Sequence, residues 1–527
     1  MDTAVTVKVP GSKSLSHRAV ICASLAVNKA GEEGESVLEN VLESDDLART
    51  IDVLRACGAS IQLAGNGLCR ITGLGRPPRN ILGVAPAPDS PAAPPVFPAP
   101  SAPQDCFAGE SGTTLRLLAA VLAAGQGAFW LHGLPGLHRR PVDEVITPLR
   151  DLGAKISCPD AREGFPPLLI ENAGLGANGL AGGEVWASCD KTSQALSGLL
   201  LAAPYISPAR RVCAVVSPSE RDSGAAEGLY IRLGGKAPVS WPYVGMTLQM
   251  MERFGVRSRL ELLDEVWHTI AWEDVCGGSA VLPASSIRPA VPALPDLPGV
   301  LRFCVPSGEY KPASFALEGD WSSASYFLAA GAIGPRPVRI SGLDQTSRPS
   351  RQGDRAILDI LRFMGARISL EADAVVVAPG ELRGIDCDLN ACPDLVPTVL
   401  ALAAHAKGES RVRNVGHLRF KESDRAGALV SELTKAGCLI RLCGEDGAGG
   451  TDWSGNTDIV LSPPKGGPLQ AARREVFNTF GDHRLAMAFS LLGLDPTGAG
   501  SVKIRLDNYE CVKKSFPGFW AEWEKVI

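Results

Sequence analysis

The chain has 527 residues, 45% of them hydrophobic and 21% charged, enough for a large core and a length suited to about two to four domains. Its formal net charge of -5 excludes broad binding to nucleic acid or an anionic membrane, so any anion it handles must meet a local cluster of Lys and Arg. The 14 cysteines stand singly, without CxxC pairs or zinc-ligand spacing, and read as free thiols of a reducing cytoplasm.

In chain order, an alternating run at residues 3–9 predicts a first strand with no cationic, apolar leader before it. No apolar run reaches the ~20 residues that span a bilayer. Pro10-Gly-Ser-Lys-Ser-Leu-Ser-His-Arg18 then opens an apolar helix, placing Lys13 and Arg18 where backbone N–H groups can meet an anion. The alternative is a Ser-rich capping turn with two solvated cations. A second Gly/Ser/Thr turn, Ala108 to Arg116, leads into another apolar helix, and Arg140 precedes a Pro that holds its backbone extended.

An amphipathic helix, a Gly and a short apolar strand recur at 53–61, 148–156, 250–257, 360–368 and 432–440. Gly at each junction suits a helix C-terminus that needs positive φ. The end of the chain, 519–527, reads as a sixth such helix, so the pattern implies an internally repeated α/β fold. Three stretches interrupt it. Residues 76–103, dense in Pro and Ala, are expected to be an exposed loop, 217–235 an insertion, and 262–312 an extended hairpin or irregular lobe. In the carboxyl half, Lys421 and Arg425 are expected to share a helix face beside Glu422, and Asp482-His483-Arg484 to start a helix.

Taken in order, Pro10-Gly-Ser-Lys-Ser-x-Ser-x-Arg18, Gly109-x-Ser-Gly-Thr113, Arg140-Pro141, Thr192-Ser-Gln194, Glu318-Gly-Asp-x-Ser-Ser-Ala-Ser325, Pro393-Asp394, Lys421-Glu-Ser-Asp-Arg425, Asp482-His-Arg484 and Lys514-Ser-Phe-Pro517 resemble the motifs of 5-enolpyruvylshikimate-3-phosphate synthases. The resemblance implies a two-domain inside-out α/β barrel of six βαβαββ repeats, three per domain, with the active site in the cleft. Residues 11–317 would form one domain, and 1–10 plus 318–527 the other.

It further implies a monomeric enzyme, with no metal or cofactor, that transfers the enolpyruvyl group of phosphoenolpyruvate to the 5-hydroxyl of shikimate 3-phosphate, with these small molecules as its only partners. By the same resemblance, phosphoenolpyruvate falls to Lys13, Gly112, Thr113, Arg140, Gln194, Arg425, Arg484 and Lys514. Shikimate 3-phosphate falls to Lys13, Ser14, Arg18, Thr192, Ser193, Gln194, Ser240, Asp394, His417 and Lys421, with Tyr243 beside them. Asp394 and Glu422 are the candidate proton carriers, and Lys13, His483 and Lys514 the candidate assistants. About five substrate charges demand such a cage of cations.

Four positions depart from the family pattern: Glu110 and His417 stand where Asn is frequent, as does His17, and Trp241 where Lys is frequent. Two other readings stay open. One is a UDP-N-acetylglucosamine enolpyruvyl transferase, whose loop cysteine has no counterpart at 133–140; the other is a non-catalytic descendant that binds an anion or a partner in the same cleft.

Overall fold

The computed structural model describes residues 4–27, 35–80, 102–159, 162–173, 181–208, 228–236, 238–276, 297–343, 350–444, 457–497 and 500–527. Four four-stranded sheets repeat one strand order, in which the first strand runs parallel to the second, the second antiparallel to the fourth, and the fourth antiparallel to the third, and a five-stranded sheet keeps that order with one further hairpin strand at its edge. Gln104–Phe107, Gln126–His132, Lys155–Ser157 and Leu168–Ala173 form one such sheet, and Asp386–Asp388, Ser410–Arg413, Leu439–Cys443 and Asp458–Ser462 another.

Two of the sheets borrow their first strand from far along the chain. Val5–Lys8 pairs with Val338–Ser341, and Ser314–Ala316 pairs with Glu35–Glu39, so the chain passes twice between its two halves. The halves have separate hydrophobic cores: one runs from Leu15 to Leu317, the other takes Val7, Val9 and Trp321 to Val526. At the passage between them the Asp320 carboxylate caps a helix from each half. It accepts from the Ser323 amide at 2.7 Å and from the Lys13 amide at 3.0 Å.

All five junction glycines, Gly58, Gly153, Gly255, Gly365 and Gly437, have φ between 85° and 109°, the left-handed conformation that lets a helix end and the strand return over it. The last unit is shorter than the repeat predicts. Among the described residues it holds the parallel pair Val476–Phe477 and Arg505–Leu506 with the helices His483–Phe489 and Phe519–Trp523.

The insertions differ from expectation at three places. Gly228–Gly234, expected within an insertion, is an inner strand whose Leu229, Ile231 and Leu233 alternate into the core. Arg259–Asp264 and Val266–Ile270 form the expected hairpin, but Leu301–Pro306 lies between that hairpin and Gly228–Gly234 as part of the sheet. Asn80 closes the neck of the Pro-rich segment, donating from Nδ2 to the carbonyls of Ala102 and Ala128 at 3.0 and 2.9 Å. The rest of these stretches, 81–101, 209–227 and 277–296, lies outside the described residues.

Helices buried almost all round form the middle of each half: Lys13–Leu25, Gly112–Ala123 and Gln194–Ala202 in one, Trp321–Ile333 and Val396–His405 in the other. Among the described residues no helix is long and apolar enough to cross a membrane, and every cysteine is unpaired.

Candidate active site

The helices Lys13–Leu25, Gly112–Ala123 and Gln194–Ala202 all begin on one cleft of about 800 Å³, so their dipoles favour negative charge there. Lys13, Ser14, Gly112, Thr113, Arg140, Thr192, Ser193, Gln194, Ser240 and Tyr243 line it from one half, and Asp394, Lys421, Glu422, Arg425 and Arg484 from the other.

Four predicted site residues lie outside this lining. Arg18 is a cross-brace: its Nε donates to Thr247 Oγ1 at 2.7 Å, Nη1 to the Ser14 carbonyl at 2.8 Å, and Nη2 to Ser197 Oγ and the Tyr243 carbonyl. These hydrogen bonds tie two wall segments together. His417 is buried, and burial, then Lys421, lower its pKa to about 3. Burial likewise lowers the His483 imidazole well below its usual range, and neither ring nitrogen has a hydrogen-bond partner. Lys514 ends the turn Glu510–Lys514 and acts on the cleft through its charge, which helps keep Glu422 ionised.

Arg116, Pro141, Lys191 and Phe420 line the cleft although sequence reasoning left them out. Arg116 was legible in one respect, since it follows Gly112 by one helical turn and so shares its face. A methyl added at Gly112 would lie 2.7 Å from Arg116 Nη1 and 2.8 Å from Arg140 Nη1. Two guanidinium groups thus converge on a glycine, and neither forms an ion pair among the described residues. Burial, then Arg140, lowers Arg116 to about 10. Arg116 also donates to Gln194 Oε1 and to the Pro141 carbonyl, which ties the second and third anion turns to the Arg140 segment.

On the facing wall the cations are engaged. Arg425 donates to Asp394 at 2.9 Å, to Asp482 at 2.7 Å and to Glu422, while Arg484 binds Asp394 at 2.6 Å. Tyr243 reaches across from the other half to donate to the same Asp394 at 2.9 Å. Burial would push both acids up in pKa. Arg484 and Arg425 override it at Asp394, and Arg425 does so at Glu422, holding both carboxyls well below the usual range. Glu422, Asp482 and His483 bring potential metal-ligand atoms within 4.8 Å of one another, but the Arg425 guanidinium already binds both carboxylates.

The helix face expected for Lys421 and Arg425 does not form. Asp424 caps the helix Arg425–Lys435 through the Gly427 amide at 3.1 Å, so residues 421–424 precede that helix and Lys421 projects into the cleft from a turn. Two departures from the family pattern also resolve. The Glu110 carboxylate lies over Gly136, where an added Cβ would meet it at 2.5 Å, and it is absent from the cleft lining. Trp241 is fully buried, stacks on Trp272 at 5.3 Å between ring centres and donates to the Val275 carbonyl.

Comparison with known proteins agrees with this geometry. The family model described as EPSP synthase (3-phosphoshikimate 1-carboxyvinyltransferase) matches residues 2–78, 91–221 and 301–523. Its second gap, 222–300, contains Ser240, Trp241 and Tyr243. A 3-phosphoshikimate 1-carboxyvinyltransferase of Nitrosomonas europaea is 34% identical over 526 residues, covering 99% of this chain and 95% of the relative; one of Paraburkholderia phymatum is 32% identical over 522 residues, covering 98% and 95%. The solved EPSP synthase of Acinetobacter baumannii superposes with a TM-score of 0.63 at 23% identity, covering 100% of this chain and 97% of that one. Matched along nearly all its length and folded around a cleft of Lys and Arg, the chain belongs to the EPSP synthase family.

Proposed function

We propose that the chain transfers the enolpyruvyl group of phosphoenolpyruvate to the 5-hydroxyl of 3-phosphoshikimate by addition and elimination, releasing phosphate. The observation that carries this reading is the division of the cleft: two guanidiniums without an ion pair among the described residues converge on Gly112, and two guanidinium-bound carboxylates, Asp394 and Glu422, line the other wall. The first wall suits the acidic substrate and the second the proton transfers.

The reaction needs a base for the hydroxyl and an acid for the enol methylene. Asp394, hydrogen-bonded to Tyr243 and near Lys421, serves the hydroxyl, and Glu422 serves the methylene. Arg425 beside both acids, with Arg484 at Asp394, keeps them too weakly basic for this work. A bound phosphoenolpyruvate brings its own anionic groups to those guanidiniums, and an acid that loses a positive neighbour gains proton affinity. Substrate binding therefore arms the acids. Lys13 stands at the opening of its helix to meet the departing phosphate, with Arg116 and Arg140 beside Gly112 on the same wall.

The separate cores, the repeated strand order and the double passage of the chain support a two-domain inside-out α/β barrel divided at 11–317 and 1–10 plus 318–527. A monomer is the working unit of this proposal, since the two halves of a single chain furnish both walls of the cleft, and the unpaired cysteines support a cytoplasmic setting. The test is phosphate release: it should require both phosphoenolpyruvate and 3-phosphoshikimate. Turnover with UDP-N-acetylglucosamine instead, or binding of both substrates without release, would overturn the proposal.

A further inference from the structure

Lys191 directly precedes Thr192-Ser193-Gln194, on the turn between strand Glu184–Ser188 and helix Gln194–Ala202. Its side chain lines the cleft with Thr192, Ser193 and Ser240, the hydroxyl-bearing end of the site. Two acids at the start of helix Asp143–Asp151 hold this turn. The Asp143 carboxylate meets Lys191 Nζ at 2.7 Å, and the Glu144 carboxylate accepts from the backbone amides of Lys191 and Thr192 at 2.9 and 3.2 Å and from Ser188 Oγ at 3.2 Å.

Beside the turn, where the Val239 amide donates to the Cys189 carbonyl at 2.9 Å, Ser240 is 4% exposed, its φ of 54° lies in the left-handed region, and its Oγ is buried without a hydrogen-bond partner. An orphaned hydroxyl held in a strained backbone beside a polar cleft points to a missing acceptor or donor. The next residue, Trp241, is turned wholly into the core, so this wall supplies no charge where the family commonly has a lysine. Lys191 lines the same cleft from the adjoining turn.

We propose that Lys191 is the cation that recognises the 3-phosphate of the ring substrate in this chain, kept in place by Asp143 and transferred to the phosphate when the substrate enters beside Ser240 and Thr192. The inference rests on the function proposed above. The exchange is favourable because the Lys191 and Asp143 side chains are 37% and 46% exposed, and an ion pair so open to water is weak, whereas a phosphate in the cleft offers a more highly charged, partly desolvated partner.

Isothermal titration of the full chain with 3-phosphoshikimate and with shikimate, which lacks the phosphate, tests it. Lys191→Met should weaken 3-phosphoshikimate by about 10–100-fold, the range of a charge-assisted hydrogen bond, and shikimate by less than about twofold. Lys191→Arg should recover most of the loss, and Lys191→Gln serves as a second neutral variant if Lys191→Met misfolds. Unchanged 3-phosphoshikimate binding in a folded neutral variant, or equal losses for both ligands, would overturn the assignment. Failure of the unsubstituted chain to bind 3-phosphoshikimate would instead overturn the functional reading beneath it.

Discussion

Lys13 Nζ lies 3.2 Å from Asp46 Oδ2, and both side chains are nearly buried, at 11% and 6% exposure. A cation at the mouth of the cleft is therefore also the partner of a buried acid. Lys13→Met removes the charge from the site and leaves Asp46 unpaired, which costs about 3–5 kcal/mol of stability where one partner of a buried pair is lost. Turnover should vanish and the melting temperature should fall. The double variant Lys13→Met/Asp46→Asn should regain the melting temperature without regaining turnover, and thermal melts beside a phosphate-release assay check both. Recovered turnover in the double variant would remove Lys13 from the chemistry.

Gly112→Ala sets a methyl within 2.8 Å of two guanidinium nitrogens. The ends of Arg116 and Arg140 can move, and Gly112 does not have a positive φ, so the fold should survive. The displaced groups should raise the phosphoenolpyruvate KM, by about tenfold or more for a shift approaching 1 Å, and the phosphonate inhibitor glyphosate should weaken with it. An unchanged KM would place the substrate elsewhere.

Lys421 has its pKa lowered to about 8, chiefly by burial and then by Arg425 against the pull of Asp394. Below that pH it is a cation for the ring substrate; as pH rises through it the charge is lost. The KM for 3-phosphoshikimate should climb with a limiting slope of about tenfold per pH unit above about pH 8. Folding responds in the opposite sense. Between about pH 8 and the ordinary lysine value near 10.4, the unfolded chain holds the extra proton, so this group makes stability rise with pH. Initial rates across that range, paired with melts, separate the two. A flat KM would exclude Lys421 from substrate binding.

Glu422→Gln keeps the shape of the side chain and removes its proton chemistry. With Arg425 still able to donate to the amide oxygen, kcat should fall by about 10²–10⁴-fold while the phosphoenolpyruvate KM changes little. Steady-state kinetics decide it, since parallel changes in kcat and KM would indicate a binding role.

The Pro-rich segment divides into a neck and a span. Besides its side-chain bonds, Asn80 donates its amide to the Gln126 carbonyl, and Gln126 donates back to the Pro78 carbonyl, both at 2.9 Å. Deleting 81–101 behind a short Gly/Ser linker should leave activity and melting temperature near their starting values. Asn80→Ala in the full chain should cost about 1–3 kcal/mol by orphaning two carbonyls. A deletion of 81–101 that abolishes the melting transition would show that this span contributes to the fold.

Local rules determined much of this protein in advance. A helix, a glycine and a returning strand depend on a few neighbouring residues, so Gly58, Gly153, Gly255, Gly365 and Gly437 marked the repeats, and the Ser/Gly turns before apolar helices marked the anion-facing ends. Tertiary structure alone decided which cations line the cleft. Arg18, conspicuous in its motif, directs its guanidinium to Thr247 and Tyr243, more than 200 residues away, whereas Arg116 and Lys191, absent from the expected site, line the cleft. Gly228–Gly234 was hidden for a related reason: it follows a Pro/Gly/Ser-rich stretch, and its pairing with Glu184–Ser188 and Leu301–Pro306 makes its alternation a strand. Backbone conformation is set by near neighbours, but the partner of a charged side chain is set by whichever element the fold brings against it.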